Sequence, residues 1–221
     1  MTFVERMPSM NRRRLLTLPL LGAAAAGTGA LSLPGAALAA PVKIPLVWQT
    51  QLQDNWCGPA SLRIASSAWY DDADLPGQRE LANQIGTDSN GSNRFQMLYG
   101  TEYVFGRYAY ELEDVEDEGG LRSSVDLREE FWGRIKNSIS QWTPPIVNVV
   151  VPAISPYKPD KWTNDHEIDH WFVIYGYDPT NRIVYIIDPA STWPGYNPNP
   201  TYGIRFDYLC QLVMKAYLYA F

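Results

Sequence analysis

The 221-residue chain is 46% hydrophobic and 13% aromatic, which is sufficient for one well-packed domain that folds without disulfides. Its formal net charge is −6, and without the first 39 residues, which carry four arginines and one glutamate, the net charge is −9. A chain this acidic lacks the basic surface that binds phosphate backbones, so nucleic acid is excluded as an expected partner.

The first 39 residues are typical of an export signal. Arg12, Arg13 and Arg14 precede an apolar Ala-, Leu- and Gly-rich stretch and small residues that suit cleavage after Ala39. The run NRRRLL is similar to a twin-arginine signal, with Asn11 where that pattern usually has Ser or Thr. We therefore expect residues 1–39 to be a cleaved signal peptide recognised by the twin-arginine export machinery. A retained membrane anchor is the alternative, although Gly and Pro residues would make a poor spanning helix.

In the remaining chain, residues 40–221, predicted helices precede predicted strands. Residues 42–50 have the pattern of a short strand or an extended lead-in, and short helical turns are expected over residues 87–110. Apolar residues recur at helical spacing in three segments. The predicted helices cover residues 58–70, 78–85 and 124–141.

The predicted strands lie in the second half of the chain. Residues 146–151 form a short apolar run typical of a buried strand, and two aromatic and β-branched runs around residues 178–181 predict a hairpin. The tail, residues 201–221, has the composition of one or two further strands. Helices followed by antiparallel strands predict a single α+β domain, with N-terminal helices packed on a C-terminal antiparallel sheet.

The stretch around Cys57 carries the strongest chemical signal. Cys57 directly precedes Gly58, Pro59 and the first predicted helix, so its thiol is expected at a helix N-terminus, where free N–H groups and the helix dipole favour the thiolate. Gln51, six residues upstream, could donate its amide N–H to an oxyanion formed at a carbonyl that Cys57 attacks. The alternative interpretation makes Cys57 an ordinary buried apolar cysteine.

The chain has only two cysteines, Cys57 and Cys210. In an exported protein this number is compatible with a disulfide, since oxidising compartments favour such bridges. The preferred interpretation is one free catalytic thiol at Cys57 and one structural thiol at Cys210, because Cys210 lies among apolar neighbours typical of a core.

Both histidines, His166 and His170, lie at the mouth of the predicted hairpin. A turn centred near residue 179 would place His170 beside Asp188 on the neighbouring strand. Such a pair supplies a base and the carboxylate that fixes its tautomer, as a Cys-His catalytic site requires. The alternative is that His170 caps a strand while Asp188 starts an Asp-Pro turn.

Residues 166–170, HEIDH, also match the H-E-x-x-H pattern of zinc peptidases. That pattern binds a metal on a helix, whereas in an extended chain residues four apart are separated by roughly 13 Å. Because His170 opens an aromatic and β-branched run, and no further histidine exists as a third ligand, neither a metal nor a cofactor is expected.

Taken as a set, these motifs resemble the papain-like cysteine peptidases related to the double-glycine leader peptidases of bacteriocin exporters, in their free-standing, secreted branch. The resemblance rests on QLQDNWCGPASL, DHWFVIYGYD and IIDPA, with the intervening IKNSISQWTPPIVNVVV, and covers most of residues 45–190. It implies a papain-like fold and a Cys-His-Asp triad. By position, the implied nucleophile, general base, orienting carboxylate and oxyanion-hole donor are Cys57, His170, Asp188 and Gln51.

The resemblance has limits: Ile168-Asp169 stands where the family often has Gly before its histidine, and no transporter domain follows. We therefore expect a bacterial, secreted hydrolase of the thiol protease type, which cleaves an amide bond of a peptide or protein through a Cys57 thioester. No stable membrane association is expected after signal cleavage. The alternatives are a related acyl transferase and a non-catalytic module that binds peptides or glycans with its abundant aromatic residues, 8 Trp and 14 Tyr in the chain.

Overall fold

The computed structural model describes residues 39–163 and 165–220, so the predicted signal peptide lies outside the described residues apart from Ala39. Within this part of the chain, three successive helices near the start precede most of the strands. The helices are α1 (Cys57–Ser66), α2 (Gln78–Ile85), α3 (Arg94–Phe105), α4 (Val125–Ser140) and α5 (Phe206–Leu212). The strands are β1 (Val42–Lys43), β2 (Tyr110–Asp114), β3 (Ile146–Val151), β4 (Ile168–Asp178), β5 (Ile183–Ile187), β6 (Thr201–Arg205) and β7 (Ala216–Ala220).

The strands form one antiparallel sheet in the order β2-β7-β3-β4-β5-β6, and β1 pairs with β4 outside this path. Successive side chains of β4 point to opposite faces of the sheet. Trp171 and Val173 pack with α1, α2 and α3, whereas Phe172 and Ile174 pack with α4 and α5. The α+β prediction is therefore confirmed, and the structure adds that α4 and α5 cover the face opposite the first three helices.

The three predicted helices are present. Helix α2 has the predicted bounds and is followed by Gly86 in the left-handed conformation, with φ +73°, which ends the helix. Helix α4 begins after Ser124, whose hydroxyl accepts hydrogen bonds from two backbone N–H groups of its first turn. Helix α1 ends at Ser66, four residues before the predicted end. The chain continues beyond it in tighter turns, in which Ser67 N donates a hydrogen bond to Ile64 O.

Two helices differ from the prediction: α3 lies where only short helical turns are expected, and α5 lies where only strands are expected. Helix α3 begins with a reciprocal cap in which Asn93 and Gln96 hydrogen-bond to each other's backbone, but its apolar residues are spread around the helix, so no one-sided pattern marks it. Helix α5 has only seven residues and separates the two strands of the tail, which is too short for a helical period to stand out. Among the helices of the described residues, none has the length and apolar character needed to cross a membrane.

Candidate active site

Cys57 is the first residue of α1. The preceding residue, Trp56, provides no side-chain cap, and no acidic side chain lies in the first turn. Pro59 has no N–H, and the N–H of Ala60 donates to Trp56 O, so the N-terminal N–H groups at Cys57 and Gly58 remain for a ligand. The Cys57 side chain is thus placed where a negative charge is stabilised.

Strand β4 is hydrogen-bonded to α1 and to the loop before α3. Ser61 Oγ donates to Trp171 O at 3.0 Å, and Trp171 Nε1 donates to Ser92 O at 2.8 Å. Gly58 lets Met97 and Ser92 pack closely against the start of α1, because a methyl group added at Gly58 would lie 2.8 Å from both Met97 Sδ and Ser92 Oγ. These contacts fix Cys57 next to the strand that carries His170.

His170 lies on β4 and hydrogen-bonds to Asp188, with 2.9 Å between His170 Nε2 and Asp188 Oδ1. Both side chains are almost fully buried. Since an ionised carboxylate only accepts, Nε2 carries the proton of this bond and Nδ1 remains for Cys57. The ring also contacts the aromatic rings of Trp162 and Tyr196, with centroids 5.7 Å and 5.2 Å away.

The structure brings His170 and Asp188 together in a different register from the one assumed from the sequence. Val173 pairs with Ile187, so an extension of the pairing would put Phe172, not His170, opposite Asp188. The turn residues lie between Asp178 and Ile183, and a register shift between Ile174 and Gly176 lengthens β4 relative to β5. His170 and Asp188 therefore meet diagonally, on the same face of the sheet.

Asp188 is held by further hydrogen bonds. Its Oδ1 also accepts from Ala190 N at 2.8 Å, and its Oδ2 accepts from the Tyr202 hydroxyl at 2.9 Å. Its backbone carbonyl accepts from Trp48 Nε1 at 2.9 Å. The carboxylate is fully buried with both oxygens bonded, so its position relative to His170 is fixed.

The imidazole of His170 is tuned by its surroundings. Burial by itself would lower the pKa of His170, but the Asp188 carboxylate and the Cys57 side chain, each as a charge and as a hydrogen-bond partner, outweigh it and raise this pKa to about 10. His170 is therefore a protonated imidazolium at neutral pH, able to pair with a thiolate and to give up a proton later.

Cys57 and His170 line the same open cleft, of about 630 Å³. One wall comes from Cys57 with the residues before it and from the loop before α3, and the other from β3, β4 and the segment after β5. The lining side chains include Asn55, Cys57, Ser92, Asn148, His170 and Tyr196. A cleft of this size admits an extended peptide segment across the thiol and the imidazole.

Gln51 is not brought to this cleft as the sequence predicts. Its side chain is buried, and Nε2 donates to Gln53 O at 3.0 Å and to Asp54 O at 2.9 Å. An amide has two N–H donors, and both are used by these carbonyls. The turn between Gln51 and Cys57 folds back over the Gln51 side chain, which the spacing in the sequence does not reveal. In this conformation Gln51 has no N–H to offer an oxyanion.

The remaining predicted positions are separate from the site. Cys210 is buried in α5 on the face of the sheet opposite α1, and both cysteines are free. His166 is exposed and pairs with Asp165, whereas His170 faces Asp188. The HEIDH segment enters strand β4 at Ile168, so its two histidines do not share the face of a helix.

Sequence reasoning missed three residues of the site: Tyr202, which binds Asp188, and Asn148 and Tyr196, which line the cleft. Asn148 stands within the apolar run of β3, and this polar interruption is a usable signal for a site. Tyr196 lies in the Pro- and Asn-rich loop before β6, where no periodicity indicates which side chain turns inward.

Comparison with known proteins gives one family and several similar solved structures, two of which are described here. The model of the Peptidase_C39 like family matches residues 42–204. A search of curated proteins gives no match. The chain is similar to the peptidase domain of Streptococcus ComA, a bifunctional ABC transporter involved in a quorum sensing pathway, with 15% identity and a TM-score of 0.46 over 80% of this chain and 96% of that one. It is also similar to a double glycine motif protease from an AMS/PCAT transporter in complex with the leader peptide, with 16% identity and a TM-score of 0.44 over 81% and 95% of the two chains.

Proposed function

Because the chain belongs to the Peptidase_C39 like family, we propose that it is an exported cysteine peptidase that cleaves an amide bond of a peptide or protein through a thioester on Cys57. The observation that carries the proposal is that Cys57, at an uncapped helix N-terminus, lines the same cleft as His170, which hydrogen-bonds to the buried Asp188. These three residues are the proposed catalytic triad.

In the first half of the reaction, the Cys57 thiolate attacks the carbonyl carbon, and the carbonyl electron pair moves to oxygen. The tetrahedral intermediate collapses when the C–N bond breaks and the imidazolium of His170 gives its proton to the leaving amine. Asp188 holds the ring in place and stabilises its positive charge. The raised pKa of His170 is consistent with a ring that is already protonated when the substrate binds.

In the second half, the now neutral His170 takes a proton from water, and the hydroxide attacks the thioester carbonyl. Collapse of this intermediate releases the carboxylate product and returns the thiolate. The open cleft beside His170 leaves room for the attacking water once the amine product has left. A related acyl transferase would use an amine or alcohol in place of this water.

Labelling by a thiol-directed irreversible inhibitor tests the proposal. Iodoacetamide at pH 6.5 should modify Cys57 in the wild-type chain, and Cys57→Ala should abolish the labelling while the circular dichroism spectrum is unchanged. Cys210→Ala is the matched control, because Cys210 is buried and free and burial raises the pKa of its thiol to about 12. Equal labelling of the wild type and Cys57→Ala would remove the proposal.

The engaged amide of Gln51 favours the second candidate, a non-catalytic module that holds peptides or glycans in the same cleft. The two candidates differ in the reactivity of the thiol. A Cys57 that resists iodoacetamide at pH 6.5 in the folded chain, yet reacts after unfolding, indicates the binding module.

Export is proposed from residues 1–39 alone, as a twin-arginine signal removed near Ala39. Replacing Arg12 and Arg13 by lysine in the precursor should leave the protein inside the cell, while the unchanged precursor yields a shortened extracytoplasmic chain in the same bacterial host. Release of the double variant at the wild-type rate would contradict this assignment.

A further inference from the structure

Thioester formation needs hydrogen-bond donors aimed at the developing oxyanion, and one donor is missing from the site described above. The backbone N–H of Cys57, at the uncapped start of α1, supplies one. The side-chain donor expected from the sequence, Gln51, has both N–H groups engaged by backbone carbonyls. A side-chain donor to replace it would have to be one that lines the cleft with Cys57 and His170.

Tyr196 occupies such a position. It lies in the loop between β5 and β6 and lines the cleft together with Cys57 and His170. Its ring lies 5.2 Å from the His170 ring and packs edge-on against Trp162 at 4.7 Å, measured between centroids. These contacts orient the ring, whereas no hydrogen bond among residues 39–163 and 165–220 engages its hydroxyl.

The surroundings of the Tyr196 hydroxyl keep it protonated. Burial raises the pKa of Tyr196, and the charges of Cys57 and Asp188 raise it further. The hydroxyl is therefore a donor at all pH values where the enzyme would work.

The loop that carries Tyr196 is tied to the site. Thr163 N donates to Gly195 O at 2.9 Å, and Tyr196 N donates to Trp193 O at 3.3 Å. Trp193 Nε1 in turn donates to Gln51 O at 3.2 Å, which joins this loop to the segment before Cys57. Gly195 has φ +90°, a conformation that side-chain-bearing residues rarely adopt, and it aims the chain so that Tyr196 enters the cleft.

We propose that the Tyr196 hydroxyl is the second oxyanion donor of this site, in the role that the sequence predicts for Gln51. When the thiolate forms its bond to the carbonyl carbon, the oxygen that receives the π electron pair accepts hydrogen bonds from the Cys57 N–H and the Tyr196 O–H. No proton is transferred from the phenol, and both bonds weaken when the C=O re-forms and the leaving group departs. This assignment rests on the proposed thiol hydrolase function and names a further catalytic residue for it.

Two small probes separate oxyanion stabilisation from thiol reactivity. p-Nitrophenyl acetate acylates a thiolate through a tetrahedral oxyanion and releases p-nitrophenolate, whereas iodoacetamide alkylates it by displacement at a saturated carbon, with no oxyanion. Tyr196→Phe removes one oxygen and keeps the ring contacts. It should slow acylation of Cys57 by about 100-fold, the usual effect of one lost donor, and leave the alkylation rate within about 3-fold. Tyr185→Phe, on β5 outside the cleft, is the matched control and should change neither rate.

Each outcome decides a different point. Acylation of Tyr196→Phe at the wild-type rate, or an equal loss of acylation and alkylation, would overturn the assignment of Tyr196 while leaving the hydrolase proposal intact. A selective loss of acylation in Gln51→Ala with no loss in Tyr196→Phe would return the role to Gln51. A folded wild-type chain in which Cys57 reacts with neither probe would overturn the hydrolase function, and the Tyr196 assignment with it.

Discussion

Replacing Asp188 by asparagine tests how much of the fold's stability depends on the charge behind His170. Asparagine has nearly the same shape, and its Oδ1 can still accept from His170 Nε2 and Ala190 N, while its amide can donate to the Tyr202 oxygen. The substitution therefore removes the negative charge and keeps most of the hydrogen bonds. In the variant, the Asp188 charge no longer opposes the effect of burial, which lowers the pKa of His170. This pKa should therefore fall below its ordinary value.

The magnitude follows from proton linkage. An unfolded chain releases the histidine proton near pH 6.5, whereas folded His170 holds it up to about pH 10. The stabilisation of the folded state by this proton is therefore fully present below pH 6.5, and it is lost as the pH rises from 6.5 to about 10. In the Cys57→Ala background, where no thiolate forms to offset the histidine proton, the free energy of unfolding should fall at about 1.4 kcal/mol per proton and pH unit, or by about 2 kcal/mol between pH 6.5 and pH 8.5. The same background with Asp188→Asn should lack this decline.

Urea unfolding followed by tryptophan fluorescence at pH 6.5, 7.5 and 8.5 measures the effect. Burial also raises the pKa of Cys210, which adds a small decline near pH 8.5, but that contribution is common to both proteins. Asp188→Ala is the harsher comparison: it leaves three buried donors without an acceptor and should cost about 3–5 kcal/mol at pH 7. Parallel pH curves for Cys57→Ala and for Cys57→Ala with Asp188→Asn would refute the reasoning.

Two further substitutions probe the packing around the site. In Gly58→Ala the new methyl group would lie 2.8 Å from Met97 Sδ and Ser92 Oγ. The free energy of unfolding should therefore drop by about 1–3 kcal/mol, and Cys57 should be alkylated more slowly. An unchanged urea midpoint would contradict the close packing at Gly58. Tyr202→Phe removes one of the donors to the buried Asp188 carboxylate and should cost about 1–3 kcal/mol in urea unfolding. A loss no larger than that of the half-buried control Tyr185→Phe on β5 would count against it.

Local sequence patterns were sufficient for a large part of the fold. The extents of α2 and α4 follow from one-sided apolar spacing with recognisable ends, and the β4–β5 hairpin follows from two β-branched runs around an Asp-Pro turn. Helix α3 escaped the prediction because its apolar residues surround it, and α5 because seven residues are too few to show a period. Intrinsic secondary-structure propensity predicts an element poorly where tertiary contacts determine the local conformation.

The same distinction between local sequence patterns and tertiary contacts applies to the candidate site. A cysteine before a helix and a histidine and aspartate on paired strands are local features, so Cys57, His170 and Asp188 could be named from the sequence. The hydrogen bonds of Gln51 and the entry of Tyr196 into the cleft depend on how turns and loops fold back over neighbours distant in sequence.

The amino-acid sequence by itself determined which groups can do thiol chemistry and which elements carry them, because helix starts and strand pairs are set by near neighbours. Only the tertiary structure decided the strand register, the engagement of Gln51 and the approach of Tyr196 to His170. The physical reason is that a side chain's free hydrogen-bond donors depend on partners brought together by long-range packing, and periodicity carries no record of those partners.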